Sequence, residues 1–132
     1  MADVLVAEDD DDIRGIIVRL LRRAGHDVRA AADGAQAWQL LGEQPPDIVV
    51  SDIDMPVMSG VELCQAIRND PALQSLPVLL VSGSLMPGDD RPVRAQATAI
   101  LGKPFSPQEL QACVAKALQT GHHRGQPPSS CP

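Results

Sequence analysis

Ile48-Val49-Val50-Ser51-Asp52-Ile53-Asp54-Met55-Pro56-Val57-Met58-Ser59-Gly60 is the stretch that decides how this chain folds. Residues 48–50 form an apolar, β-branched run too short for a helix, which predicts a buried strand. The run stops at two carboxylates, and Asp54, Pro56 and Gly60 supply turn chemistry directly after it. Working outward, residues 4–7, 78–81 and 99–101 repeat the pattern of a short apolar run that ends at polar residues. A fifth segment, Asp27-Val28-Arg29-Ala30, alternates polar and apolar side chains as an edge strand does.

Helical patterns lie between these runs. Ile13, Ile16, Ile17, Leu20 and Leu21 form one apolar stripe, and Leu110, Cys113, Val114, Ala117 and Leu118 form another. Weaker amphipathic segments cover residues 35–41 and 61–67. Gly25 suits a helix C-terminus, and Ser106-Pro107-Gln108-Glu109 combines an N-cap Ser, a first-turn Pro and a capping-box Glu. Strands alternating with helices predict a single α/β domain over residues 1–120, a parallel sheet with helices on both faces. Residues 84–94 carry Pro87, Gly88 and Pro92, so any fourth helix there should be short, late-starting or irregular. Residues 121–132 are rich in Gly, Pro and Ser and read as a flexible tail or a truncated linker.

Composition narrows the function. The 132 residues fit one domain, and with only Trp38 and Phe105 aromatic the core must be aliphatic. A net charge of −6 argues against direct nucleic-acid binding, which needs a basic face. No apolar run reaches membrane-spanning length, and the chain reads as cytoplasmic. Cys64, Cys113 and Cys131 are odd in number and lack C-x-x-C spacing, so neither a disulfide framework nor a zinc ribbon is expected.

In an open α/β sheet, ligands bind beyond the carboxyl ends of the strands. Those ends carry Glu8 and Asp9, Asp52 and Asp54, Ser82, and Lys103. Two carboxylates ~5 Å apart at an effective dielectric of ~20 repel by roughly 3 kcal/mol. A hard divalent cation relieves that conflict, and Mg²⁺ suits one or two carboxylates plus water and a phosphate. With a lysine and a hydroxyl beside it, such a site matches the needs of a transferring phosphoryl group, with a carboxylate as nucleophile.

Val4-Leu5-Val6-Ala7-Glu8-Asp9, the stretch Ser51–Gly60 quoted above, Val81-Ser82-Gly83 and Gly102-Lys103-Pro104-Phe105 together resemble the receiver domains of two-component response regulators. The resemblance spans about residues 3–119 in order and spacing. It implies a flavodoxin-like (βα)5 doubly wound sheet in the order 2-1-3-4-5. It implies Asp52 as phosphoacceptor, with Mg²⁺ held by Glu8, Asp9, Asp52 and the backbone carbonyl of Asp54. Ser82 and Lys103 would bind phosphoryl oxygens, and the Lys103–Pro104 bond would be cis. The implied donor is a sensor histidine kinase or a phosphotransfer protein; the implied recipient is a downstream protein or output domain, with a homodimer left open. The domain would catalyse only its own phosphotransfer and dephosphorylation. Ile100 departs from the family, which usually places Tyr or Phe at this switch position.

Two other readings compete. Val49-Val50-Ser51-Asp52-Ile53-Asp54 also resembles the D-x-D start of haloacid-dehalogenase-type phosphatases, though that motif normally opens its chain. Ile100, Pro87 and Pro92 motivate a phosphorylation-independent interaction module on the same scaffold. Asp11 and Asp12 read as first-turn helix residues. His122 and His123 read as tail residues, and Trp38, Cys64 and Cys113 as packing. Ser82 or Lys103 alone would be ordinary; their joint placement carries the inference.

Overall fold

The computed structural model describes residues 2–86, 88–123 and 125–130. Five strands and five helices alternate: β1 (Asp3–Ala7), α1 (Asp11–Arg23), β2 (Asp27–Ala31), α2 (Gly34–Glu43), β3 (Ile48–Asp52), α3 (Gly60–Asn69), β4 (Val78–Ser82), α4 (Arg91–Ala95), β5 (Ala99–Gly102) and α5 (Pro107–Thr120). A two-residue strand, β6 (Ser129–Ser130), follows. The sheet runs β2-β1-β3-β4-β5-β6 with every pair parallel. The five-strand order is therefore the one the resemblance implies, with β2 at one edge and an unforeseen strand added at the other.

Strand alternation sorts the core onto two faces. Leu5, Val49, Val78 and Leu80 point to the layer containing Ala37, Leu41, Leu63, Ile67 and Ala95 from α2, α3 and α4. Val4, Val6, Ile48, Val50, Leu79 and Val81 point to the other layer, with Ile17 and Leu21 of α1 and Leu110, Val114 and Ala117 of α5. Both faces are covered, which explains why the strands read as continuous apolar runs.

Helix starts are strongly specified. Asp10 caps α1 by accepting from the backbone N–H groups of Asp12 and Ile13, and Asp11 and Asp12 fill its first turn. Ser59 with Glu62 and Ser106 with Glu109 form capping boxes on α3 and α5. The fourth helix spans only five residues and begins at Arg91, with Pro92 in its first turn. Pro87 and Cys131 lie outside the described residues.

Three details differ from the sequence reading. Among the described tail residues, Ser129 and Ser130 pair with β5. His122 is buried at 7% exposure rather than a solvated tail residue. Cys113 is buried and disulfide-bonded, which corrects its reading as a plain apolar side chain; Cys64 is free.

Candidate functional site

The register of the sheet aligns the strand ends. Ala7 is level with Ser51, Asp52 with Val81, and Ser82 with Gly102. Glu8, Asp52, Ser82 and Lys103 thus emerge along one rim, where the backbone N–H of Lys103 donates to the Ser82 carbonyl at 3.0 Å. Glu8, Asp52 and Ser82 are buried, Asp9 is exposed, and Lys103 is in between.

Lys103 Nζ donates to Glu8 Oε1 at 2.8 Å and lies 3.3 Å from Asp52 Oδ1. One ammonium therefore serves two buried carboxylates. Arg14 Nη1 donates to the Glu8 carbonyl at 2.9 Å and pins that residue from α1. Burial, above all, raises the Glu8 carboxyl above its usual range, with Lys103 opposing and Asp52 adding to the rise. Burial likewise raises the Asp52 carboxyl, opposed by Lys103 and reinforced by Asp54 and Asp9. Burial works against the Lys103 charge, but the hydrogen bond to Glu8 and the charges of Asp52 and Glu8 overcome it and hold its pKa up.

Glu8, Asp9 and Asp52 each offer a carboxylate oxygen, all within 4.8 Å of one another. Three converging carboxylates with one lysine leave a net negative pocket of hard oxygen donors, which fits a divalent cation of the Mg²⁺ type. Asp54 faces outward: its side chain accepts from the Ser84 hydroxyl and pairs with Arg91 at 3.7 Å. Ser82 Oγ lies 2.9 Å from Ser84 Oγ and accepts from the Ser84 N–H at 2.9 Å. Ser84 and Arg91 were missed by sequence reasoning because nothing in their spacing marks them; the path of the β4–α4 loop brings them to Asp54. The Lys103–Pro104 peptide bond is cis. Ile100 is half-buried in β5, level with Leu80 of β4 and Ser130 of β6.

The raised carboxyls set a pH dependence. An unfolded carboxyl titrates near 4. Between that value and the raised folded values, the native state binds more protons than the unfolded one, so this pair stabilises the fold at low pH and loses that contribution as pH rises. His122 acts oppositely: burial, with Arg68 nearby, pushes its pKa down to about 4, so its contribution is lost as pH falls below the usual histidine range. Comparing Asp52→Asn with the native sequence isolates the carboxyl pair. In Asp52→Asn, Lys103 keeps Glu8 as its partner, so no buried charge is orphaned. Thermal unfolding of the metal-free variant at pH 7 should show a gain on the order of 1 kcal/mol, shrinking toward pH 4. A gain that grows on acidification would contradict this account.

The family comparison turns on the same rim. The family description of the response regulator receiver domain matches residues 4–115, which include every rim residue named above. The chain belongs to the response regulator receiver family. The receiver is 36% identical over 123 residues to the response regulator receiver protein CpdR of Brucella abortus, covering 89% of this chain and 98% of that protein. Its fold is similar to that of the chemotaxis response regulator CheY4 of Vibrio cholerae, with a TM-score of 0.83 at 32% identity over 88% of this chain and 98% of that one. It is also similar to the receiver domain of sensor histidine kinase PA1611 from Pseudomonas aeruginosa PAO1, whose structure has a magnesium ion coordinated in the active-site cleft. That match has a TM-score of 0.82 at 28% identity and covers 89% and 98% of the two chains. The receiver spans only about half the length of other curated relatives, 51% of one and 49% of another. Membership of this family, a signalling domain rather than a classical enzyme, decides against the dehalogenase-type phosphatase reading. Among the described residues, no helix is long and apolar enough to cross a membrane.

Proposed function

We propose that this receiver takes a phosphoryl group onto Asp52 from the phosphohistidine of a sensor histidine kinase or phosphotransfer protein. The single observation that supports this reading most is the convergence of Glu8, Asp9 and Asp52 with Lys103 at one rim. Glu8, Asp9 and Asp52, with the Asp54 carbonyl, would hold Mg²⁺. Bound there, the ion neutralises the clustered carboxylates and the charge on the phosphoryl oxygens.

The remaining work falls to the chain's own groups. The ionised Asp52 carboxylate attacks phosphorus, an O–P bond forms as the N–P bond to the donor histidine breaks, and the imidazole leaves. Lys103, already 3.3 Å from Asp52, follows the charge from carboxylate to phosphoryl oxygen. The Ser82 hydroxyl turns from Ser84 to donate to a second phosphoryl oxygen, which loosens the Ser82–Ser84–Asp54 chain and frees the β4–α4 loop to move. Dephosphorylation is water attack on the same phosphorus. The signal passes to a downstream protein or an output domain through the α4–β5–α5 face.

A small acyl-phosphate donor tests this reading. Mg²⁺-dependent, one-to-one formation of a base-labile acyl phosphate supports it; labelling indifferent to a chelator contradicts it. The metal arm has its own prediction. At ten times its dissociation constant, Mg²⁺ should stabilise the fold by about 1.4 kcal/mol, read as a rise in unfolding midpoint. Because Asp9 is exposed, Asp9→Asn should fold normally and weaken Mg²⁺ at least tenfold. Unchanged affinity would remove Asp9 from the metal site.

Ile100 supports a second reading of the output. Ile100 lacks the aromatic ring usual at this switch position, so partner binding would be independent of phosphorylation. Equal partner affinity with and without beryllofluoride would favour it.

A further inference from the structure

The match to the receiver family ends at residue 115, and beyond α5 the chain turns back onto the sheet. Gly121 follows α5 at φ +68° and Gly125 takes φ +79°, backbone conformations open to glycine. Between them His123 and Gln126 bond twice. The Gln126 N–H donates to the His123 carbonyl at 3.0 Å, and Gln126 Oε1 accepts from the His123 N–H at 3.0 Å. Pro127 and Pro128 favour extended backbone ahead of β6. Ser129 and Ser130 then lie level with Ala99 and Ile100, and the Ser129 N–H donates to the Thr98 carbonyl at 3.0 Å.

Two anchors hold this return. Thr98, just before β5, is 2% exposed, and its Oγ1 accepts from the Val78 N–H at 3.0 Å and from Arg68 Nη2 at 3.3 Å. With both lone pairs used, its hydroxyl proton goes to His122 Nδ1 at 2.9 Å. The second anchor is covalent. Cys113, 3% exposed on α5, is disulfide-bonded. Cys64 is free, fully buried, and its Sγ donates to the Ala95 carbonyl at 3.2 Å. Of the three cysteines in the sequence, only Cys131 is left to pair with Cys113. Ser129, two positions before it, shares with Cys113 a crevice of about 10 Å³ between β5 and α5. A two-residue strand is too short to hold an edge by its own pairing, so the docked tail depends on these anchors. Its release leaves the domain whole, because β1–β5 and α1–α5 already supply both apolar layers.

We propose that the tail is a thiol-controlled strap: closed by the Cys113–Cys131 disulfide it occupies the outer edge of β5, and reduction by a dithiol releases it. One thiolate of the dithiol attacks a sulfur, the S–S bond breaks, and the second thiol resolves the mixed disulfide. Two electrons and two protons pass to Cys113 and Cys131, which become thiols, and the dithiol leaves as a disulfide. Release leaves the outer backbone groups of β5 unpaired on the α4–β5–α5 face, an edge to which another strand can add. The strap does not require phosphorylation of Asp52.

The test compares the air-oxidised full chain with the same chain in dithiothreitol, both without Mg²⁺. Alkylation under denaturing conditions should modify one cysteine before reduction and three after it. Amide exchange at Ser129, followed by NMR, should accelerate at least tenfold on reduction, with shifts at Thr98, Ile100 and His122 and none in β1–β3. Cys113 packs in the core, so Cys131→Ser is the informative change. It should show the reduced behaviour without dithiothreitol and should not respond when dithiothreitol is added. Any count but one before reduction, equal Ser129 exchange in the two states, or a Cys131→Ser chain that keeps the oxidised protection would overturn the proposal.

Discussion

Asp52→Asn is expected to abolish acyl-phosphate formation while leaving a folded, slightly more stable protein. The amide cannot act as the nucleophile, and no other carboxylate replaces it. Glu8 is committed to Lys103 at 2.8 Å, while Asp54 faces Ser84 and Arg91. Because Asp52 is held in place by its strand, with its backbone level with Val81, the substitution changes the chemistry without moving the rim. Intact-mass measurement after phosphodonor treatment should show the adduct in the native sequence and none in the variant, a loss of at least a thousandfold in rate. The gain in metal-free stability serves as an internal control, since it separates lost chemistry from lost structure. An adduct that persists in Asp52→Asn would place the acceptor elsewhere.

Gly60→Ala should be the most damaging single methyl at this rim. A Cβ there would sit 2.0 Å from the Asp52 carbonyl oxygen, 2.9 Å from its carbonyl carbon and 3.0 Å from Ile53 Cα. All three are backbone atoms and none can rotate away. The Gly60 N–H also donates to Ile53 O at 2.9 Å, so α3 starts against the end of β3. Relief must come from displacing Asp52 or the start of α3, at a cost of about 3 kcal/mol. The unfolding midpoint should fall by roughly 10 °C, and phosphorylation of the folded fraction should slow because the nucleophile has shifted. Gly42→Ala is the matched control: nothing lies within 4 Å of a Cβ there. In the last turn of α2 it should be neutral or stabilise by up to about 0.5 kcal/mol. A Gly60→Ala protein as stable and reactive as the native sequence would mean that the β3–α3 junction is looser than this structure shows.

Legibility in the sequence followed how local each signal was. The strands were readable because both sheet faces are covered, so residues 48–50 and 78–81 appear as unbroken apolar runs. The rim was readable because each run ends at a charged or hydroxyl residue, and parallel strands bring their carboxyl ends together. The start of α4 at Arg91 followed from the local effects of Gly88 and Pro92. The partners of Asp54 were not readable, since Ser84 and Arg91 reach it only through the fold of a loop. The cluster of Thr98, His122 and Arg68 was hidden for the same reason, with its members up to 54 positions apart, from Arg68 to His122. Nor does a serine pair in a Pro-rich tail carry a strand signal. Ser129 and Ser130 are strand residues only because the outer edge of β5 offers unpaired backbone groups.

An amide NMR titration with Mg²⁺, followed by beryllofluoride, tests the central claim most directly, because it asks whether Glu8, Asp9, Asp52, Ser82 and Lys103 act as one site. Mg²⁺ should first move signals at residues 8, 9 and 52–54. Beryllofluoride should then move those of Ser82, Ser84 and Lys103, only when Mg²⁺ is present, and not at all in Asp52→Asn. Beryllofluoride shifts that ignore Mg²⁺, that survive in Asp52→Asn, or that appear away from this rim would contradict it.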